Sequence, residues 1–271
     1  MGFETGERAA IDGITCLRSW KMEESGKPGG PVWCSASGGG PVGVVGNDDW
    51  QGVAVAVGHT PARLPGDAFT FTGDVGNGKG VSGSALCVGI GVNWNVEGAE
   101  LIYHEIYFAG DGALTRGAYS EADAGTPNPV SAKGLYAAID SVDFAIRQAK
   151  FVFESPPAEY NDSSTAGHTN RVVGPYRGSV VLRCYFDDFD DLPEENTFVT
   201  LALQVSVTQS WLIDYIYVDK VLAVVEIAGP DGRAVGIEAT IQGTWFGYYG
   251  TAEGQIVTPA GVTLWPETGS C

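Results

Sequence analysis

Apolar and polar positions alternate at a period of two along most of this chain. Phe69-Thr70-Phe71-Thr72 alternates, and Val88, Ile90, Val92 and Trp94 fall on one face of the run from Cys87 to Trp94. That period sends successive side chains to opposite sides of a pleated strand, one side into a core and the other into water. Gly52 to Gly58 is a short apolar strand bounded by glycines, and Ile102 to Phe108 follows the turn Glu97-Gly98-Ala99. Later, Lys150 to Phe153, Ser179 to Phe186, Phe198 to Val207 and Trp211 to Val218 read the same way. Val221 to Ile227 and Ile237 to Gly243 flank Gly229-Pro230-Asp231-Gly232, a hairpin turn. β-Branched and aromatic residues dominate these runs. Helix signals are few. Asp191-Leu192-Pro193-Glu194-Glu195 offers a cap, a first-turn proline and early acids, and predicts one short helix. Ala132 to Asp143 predicts another helical turn or two. The expectation is an all-β chain with one or two short helices.

The strands come in two sets. Ala9-Ala10-Ile11-Asp12 recurs as Ala137-Ala138-Ile139-Asp140, an offset of 128 that also carries Val44-Val45-Gly46 onto Val172-Val173-Gly174 and Pro65 onto Pro193. Further on, Val92, Phe108, Gly110 and Gly117 answer to Val225, Ile241, Gly243 and Gly250 at an offset of 133. Ordered matches with a small drift are what duplication followed by loop insertion produces. Residues 118–136 hold Gly125, Pro127, Asn128 and Pro129 and lack alternation, as a linker does. The expected organisation is a β domain over 1–117, a linker over 118–136, a second β domain over 137–250 and an arm over 251–271, each domain a sandwich or barrel. Gly26 to Gly43 and Gly73 to Gly83 are glycine-rich and read as long hairpin loops.

Composition agrees with many strands joined by tight turns. The chain has 271 residues, 44% of them hydrophobic, with 39 glycines; that length holds two domains. The net charge of −18 is spread over the whole chain, since residues 1–128 carry 15 acids and 7 bases and residues 129–271 carry 18 and 8. Such a surface repels phosphates, which argues against a nucleic-acid-binding groove. Cys16, Cys34, Cys87, Cys184 and Cys271 are odd in number and widely spaced, which suits buried thiols in a reducing compartment. The first residues have no apolar core of a signal peptide, and no run of about 18 apolar residues predicts a membrane span.

Candidate chemistry is sparse. Gly73-Asp74-Val75-Gly76-Asn77-Gly78-Lys79-Gly80 nearly matches a phosphate loop, but Gly80 stands where a magnesium-binding Ser or Thr is needed. A hairpin tip explains it better. His59, His104 and His168 lack ligands at metal spacing, and His104 lies in a strand pattern. Asp187-Asp188-Phe189-Asp190-Asp191 with Glu194 and Glu195 lacks the alternation of a calcium loop and reads as a solvated acidic loop docked by Phe189 and Leu192. No serine sits in a nucleophile elbow, and no pair among the 33 acids stands out as catalytic. No catalytic residue, metal or cofactor is expected.

Val92-Asn93-Trp94-Asn95-Val96-Glu97, Tyr107-Phe108-Ala109-Gly110-Asp111-Gly112-Ala113-Leu114-Thr115 and Ile11-Asp12-Gly13-Ile14-Thr15 resemble strands of phage tail tube proteins. The resemblance implies a β-sandwich or barrel whose inner sheet joins its neighbours' around a ring, with rings stacking into a tube. It implies a virion protein, assembled in the host cytoplasm, whose partners are copies of itself and other tail proteins, with no membrane. A duplicated chain would build a pseudo-sixfold ring from three copies. An acidic lumen would let DNA slide through; Glu97, Glu100, Glu105, Asp214, Asp219 and Glu226 are the acids expected to face it. The tip Gly76, Asn77, Gly78, Lys79 and Gly80 is expected between rings. Rival readings are a capsid decoration or tail-terminator protein, a two-domain carbohydrate-binding module built on exposed aromatics, and a β-rich hydrolase.

Overall fold

A computed structural model describes residues 2–6, 8–11, 17–26, 29–33, 41–44, 48–58, 63–76, 78–96, 102–118, 136–160, 168–186, 188–206, 209–227, 234–245, 248–249, 252–253, 256–258 and 263–264. They are nearly all strand. In the first half these are β1 (Gly2–Gly6), β2 (Arg8–Ile11), β3 (Leu17–Gly26), β4 (Gly29–Trp33), β5 (Pro41–Val44), β6 (Asp48–Val57), β7 (Ala68–Gly76), β8 (Lys79–Asn95) and β9 (Tyr103–Ala118). In the second they are β10 (Tyr136–Ile139), β11 (Val142–Glu154), β12 (Ala158–Tyr160), β13 (Asn170–Val172), β14 (Arg177–Tyr185), β15 (Phe198–Ser206), β16 (Gln209–Ile227) and β17 (Ala234–Trp245). The short β18 (Tyr248–Tyr249), β19 (Ala252–Glu253), β20 (Ile256–Val257) and β21 (Thr263–Leu264) follow.

In the second half a closed barrel forms from six strands. The order β10-β15-β16-β17-β14-β11 returns to β10, all antiparallel. Closure leaves no free rim strand along its paired length. The alternation is plain in β14, where Gly178, Val180, Leu182 and Cys184 point in and the residues between them point out. In the first half, β3-β6-β9-β8-β7 form a sheet, with β1 on the outer edge of β3 and β2 on β7. β4 with β5 and β12 with β13 are separate two-stranded ribbons.

The two halves share one core. Its buried residues run from Ile11, Trp20 and Met22 through Trp94 and Phe151 to Trp245 and Ile256. Phe71 stacks on Phe108 at 4.6 Å and meets Trp20 edge-on at 5.4 Å, while Phe153 meets Trp245 edge-on at 5.1 Å. Each such side chain contributes roughly 1.5–3 kcal/mol by leaving water.

Neither expected helix is found among the described residues. Tyr136–Ile139 is β10, and Asp140 and Ser141, with φ of 47° and 73°, turn the chain back into β11. Two left-handed residues make the tight turn that suits strand twist, and the Thr200 N–H donates to the Asp140 carboxylate at 2.8 Å. At the acidic loop, a 3-10 turn covers Phe189–Asp191 and ends at Leu192, where a longer helix was expected to begin. Asp188, not Asp191, is its cap, and the backbone leaves helical space at Leu192 (ψ 138°). Residues 119–135, most of the expected linker, lie outside the described residues.

Candidate functional site: the seam between the halves and a bare strand edge

β8 is the hinge of the architecture. One edge carries β9 along almost its whole length. The other is divided: Lys79 to Leu86 pair with β7, and Gly89 to Asn95 pair with β11. β11 is divided likewise, its start on β10 and Gln148 to Glu154 on β8, with β14 on its far edge. A strand from each half thus crosses into the other's sheet. Beneath the seam Ile90, Val92 and Trp94 of β8 are buried with Ala149, Phe151 and Phe153 of β11. Ser155 N–H donates to Val88 O at 2.8 Å at one end, and Val96 N–H to Arg147 O at 2.9 Å at the other.

A polar clasp backs the seam. Arg171, in β13, has a side chain only 3% exposed and reaches Asp49 of β6 at 2.5 Å and Glu159 of β12 at 3.2 Å. It also donates to the Gly110 carbonyl, and its backbone N–H donates to Asp111 at 2.9 Å. Thr169 adds backbone bonds to Asp48 and Gly112. A buried guanidinium needs such partners, because an unpaired buried charge costs several kcal/mol.

The seam makes one face continuous across seven strands. The row Val55, Glu105, Gly91, Val152, Ser179, Thr244 and Tyr217 is in register from β6 through β9, β8, β11, β14 and β17 to β16. The neighbouring row Val57, Tyr103, Asn93, Lys150, Val181, Gln242 and Lys220 follows the same path. A groove of about 460 Å³ opens there, lined by Lys21, Gln51, Val53, Tyr107, Glu154 and Arg177 among others. Arg177 pairs with Glu154 at 2.8 Å. The Tyr107 hydroxyl donates to Glu105; burial first, and that carboxylate second, push its pKa up, so it stays a protonated donor.

Among the described residues the far end of β16 is bare on one side. β15 covers its first half, β20 pairs with Leu212 and Ile213 and β17 with Ile216 to Ile227, and among the described residues no strand pairs with Lys220 to Ile227 on the β15 side. Leu222, Val224 and Val225 are exposed at 49, 45 and 42%. The Val221 N–H, which points to that side, is taken by the Glu195 carboxylate at 3.1 Å.

Of the six expected acids, three have described side chains, each in its own surroundings. Glu105 lies in the seven-strand row, tied to Tyr107. Asp219 accepts from Thr244 at 2.7 Å. Asp214 lines an open surface pocket of about 400 Å³ with Asp140, Phe198 and Tyr215. Glu226 is in β16, but its side chain lies outside the described residues, as do Glu97 and Glu100 altogether. The shared face mixes signs, with Lys150, Arg177 and Lys220 among its acids. Of the glycine-rich tip, Gly76 pairs with Lys79 and Gly80 with Asp74, so the expected long loop is a hairpin closed almost to its end. Gly78 takes φ 70° at the turn, Lys79 is exposed, Gly80 is buried, and Asn77 lies outside the described residues. Within Gly26 to Gly43, Gly29–Trp33 and Pro41–Val44 are the paired strands β4 and β5, and residues 27–28 and 34–40 lie outside the described residues. In the acidic loop Leu192 packs on the core while Phe189 stays 60% exposed, edge-on to Phe186 at 5.0 Å.

His104 is buried and bonded through Nδ1 to the Gly58 carbonyl at 3.1 Å, a sheet-rim contact. Among the described residues no three His, Cys, Asp or Glu side chains gather as a metal site, and no helix is long and apolar enough to cross a membrane. Sequence reasoning missed the seam and the clasp. Arg171 carries no motif; the only signal was a lone base in a polar stretch. No protein-family model matches the chain, and no curated protein matches it.

Proposed function

We propose that this chain is a structural subunit of the phage tail-tube kind: two related barrel-like domains in tandem, three copies closing a pseudo-sixfold ring, and rings stacking into a conduit for DNA. The observation that carries this is the seam, where one half adds a strand to the other half's sheet, together with the bare edge at the corresponding place on β16. Strand addition of this kind is how β domains join into rings without leaving sticky edges.

The pairing registers support the duplication. Gly89–Tyr107, Ile90–Ile106, Gly91–Glu105 and Val92–His104 in the first half have counterparts 133 residues on: Leu222–Thr240, Ala223–Ala239, Val224–Glu238 and Val225–Ile237. Ala9–Gly73, Ala10–Thr72 and Ile11–Phe71 have counterparts in Ala137–Leu203, Ala138–Ala202 and Ile139–Leu201. The order β2-β7-β8-β9-β6-β3 parallels β10-β15-β16-β17-β14-β11. On this reading the seven-strand face is the wall of the lumen. Its opposed charges, as in Arg177–Glu154, leave little net attraction for phosphate, and the overall −18 opposes it further.

The test is negative-stain electron microscopy over a concentration series. Rings or hollow tubes with threefold or pseudo-sixfold symmetry are expected; single particles at every concentration, with or without added nucleating tail components, overturn the proposal. The groove at Tyr107 favours a second reading, a sugar-binding module. Saturable binding of an oligosaccharide by a monomer, lost in Tyr107→Ala, would select it.

A further inference from the structure

The proposed duplication lets one half predict the contacts of the other. In the first half, Gly89 to Asn95 of β8 receive β11 at Gln148 to Glu154. The counterpart of that acceptor is Leu222 to Ile227 of β16, which no described strand covers on the β15 side. The counterpart of the inserted strand is β3. The β3–β6 pairs Lys21–Val53, Met22–Gly52 and Glu23–Gln51 match the β11–β14 pairs Gln148–Arg183, Ala149–Leu182 and Lys150–Val181. The edge of β3 that would enter a neighbour is not open. β1 lies along it, Gly2 on Glu24 through Gly6 on Trp20, and so covers Lys21 to Glu24 among the positions that answer to the β11 seam.

We infer that β1 is a removable plug: in the assembly it leaves β3, and β3 pairs antiparallel with the bare edge of β16 in a second copy of this chain. The occupant is a second copy because the chain already makes this contact with itself at the seam, and the new edge continues the same sheet. Transferring the seam register places Ala223 opposite Gly26, Val224 opposite Ser25, Val225 opposite Glu24 and Ile227 opposite Met22. This contact buries Leu222, Val224 and Val225, which the single chain leaves exposed. It is less apolar than the Phe151–Val92 seam and sets Glu23 against Glu226. Like charges directly opposed weaken a strand pair, so added salt should favour assembly. β1 competes for the same edge, so the free chain holds only a fraction of its donor strands ready.

The inference rests on the assembly reading, and the test separates the two. Sedimentation velocity and electron microscopy are run on the full chain, on a variant lacking residues 2–6, and on Val225→Pro. By strand alternation from Val221, the Val225 N–H faces away from β17, so proline there removes no bond within the chain. Deleting 2–6 should lower the concentration for half-assembly at least about tenfold, and Val225→Pro should stay monomeric while keeping its circular dichroism and melting transition. Independently of both, Ser25→Cys and Val224→Cys proteins are mixed under mild oxidation and digested. Mass spectrometry should find a disulfide between the peptides bearing positions 25 and 224, which in this mixture joins two chains. Tubes that form without that link, and that Val225→Pro leaves intact, overturn the plug and its register but leave the tube reading standing. A full chain and a deletion variant that are both monomeric, with no link, overturn both.

Discussion

Arg171 shows how much of this molecule hangs on single side chains. Replacing it with alanine strands Asp49 and the Gly110 carbonyl in a water-poor site, and removal of one partner from such a network costs about 3–5 kcal/mol. Urea unfolding of Arg171→Ala should show a loss of that order, with Glu159→Gln, whose own side chain is 40% exposed, losing under about 1 kcal/mol. Gly110 and Gly243 matter for a different reason. A Cβ on Gly110 would lie 2.1 Å from Trp50 Nε1, and one on Gly243 2.5 Å from an Ile216 methyl. Either Gly→Ala change should therefore destabilise by about 1–3 kcal/mol through overpacking. Cys87 and Cys184 are held as thiols, both pushed by burial to about 12 from 9.0. The raised values mean the neutral form is favoured in the fold. Their contribution is complete below about pH 9, the unfolded value, and is lost as pH rises toward 12. Ellman's reagent at pH 8 should leave both unreacted in the native chain and titrate both in denaturant; fast native reaction at either would contradict the burial.

At the scale of elements, the hairpin β7–β8 and the 3-10 turn were half legible. Alternation through Phe69-Thr70-Phe71-Thr72 placed β7, and the glycines placed its turn. That the glycines on both sides of the tip are themselves strand was hidden, because Gly73 and Gly80 gain their ladder only when β8 finds β7 and β9. Deleting Gly76–Gly80 would therefore cut into β8. The gentler Lys79→Glu should keep stability within about 0.5 kcal/mol while changing the length distribution of tubes if the tip lies between rings; unchanged lengths would remove the tip from the stacking contact. Tyr136–Ile139 misled because four residues carry too little periodicity to separate a strand from a helical turn. The two left-handed residues that follow decided it.

At the scale of the molecule, the halves are bound by a shared sheet, a shared core and the Arg171 clasp. They should then melt together, as one calorimetric transition whose van't Hoff and calorimetric enthalpies agree. Phe151→Ala, at the centre of the seam, should lower stability by about 3–5 kcal/mol and split that transition in two if the seam is the main coupling. A wild-type chain with two separated transitions would mean that each half folds alone and the seam is weak.

The sequence by itself determined the all-β class and most strand positions, because the period-two pattern and turn residues act over a few neighbours and survive without tertiary context. Only the tertiary structure decided which strands pair. β8 and β11 give no sign in their own residues that each serves two sheets, since strand edges are made of backbone, which is the same in every residue but proline. Nor could the sequence show that, among the described residues, no strand covers the end of β16 on the β15 side. An open edge is the absence of a partner, and partners come from distant parts of the chain.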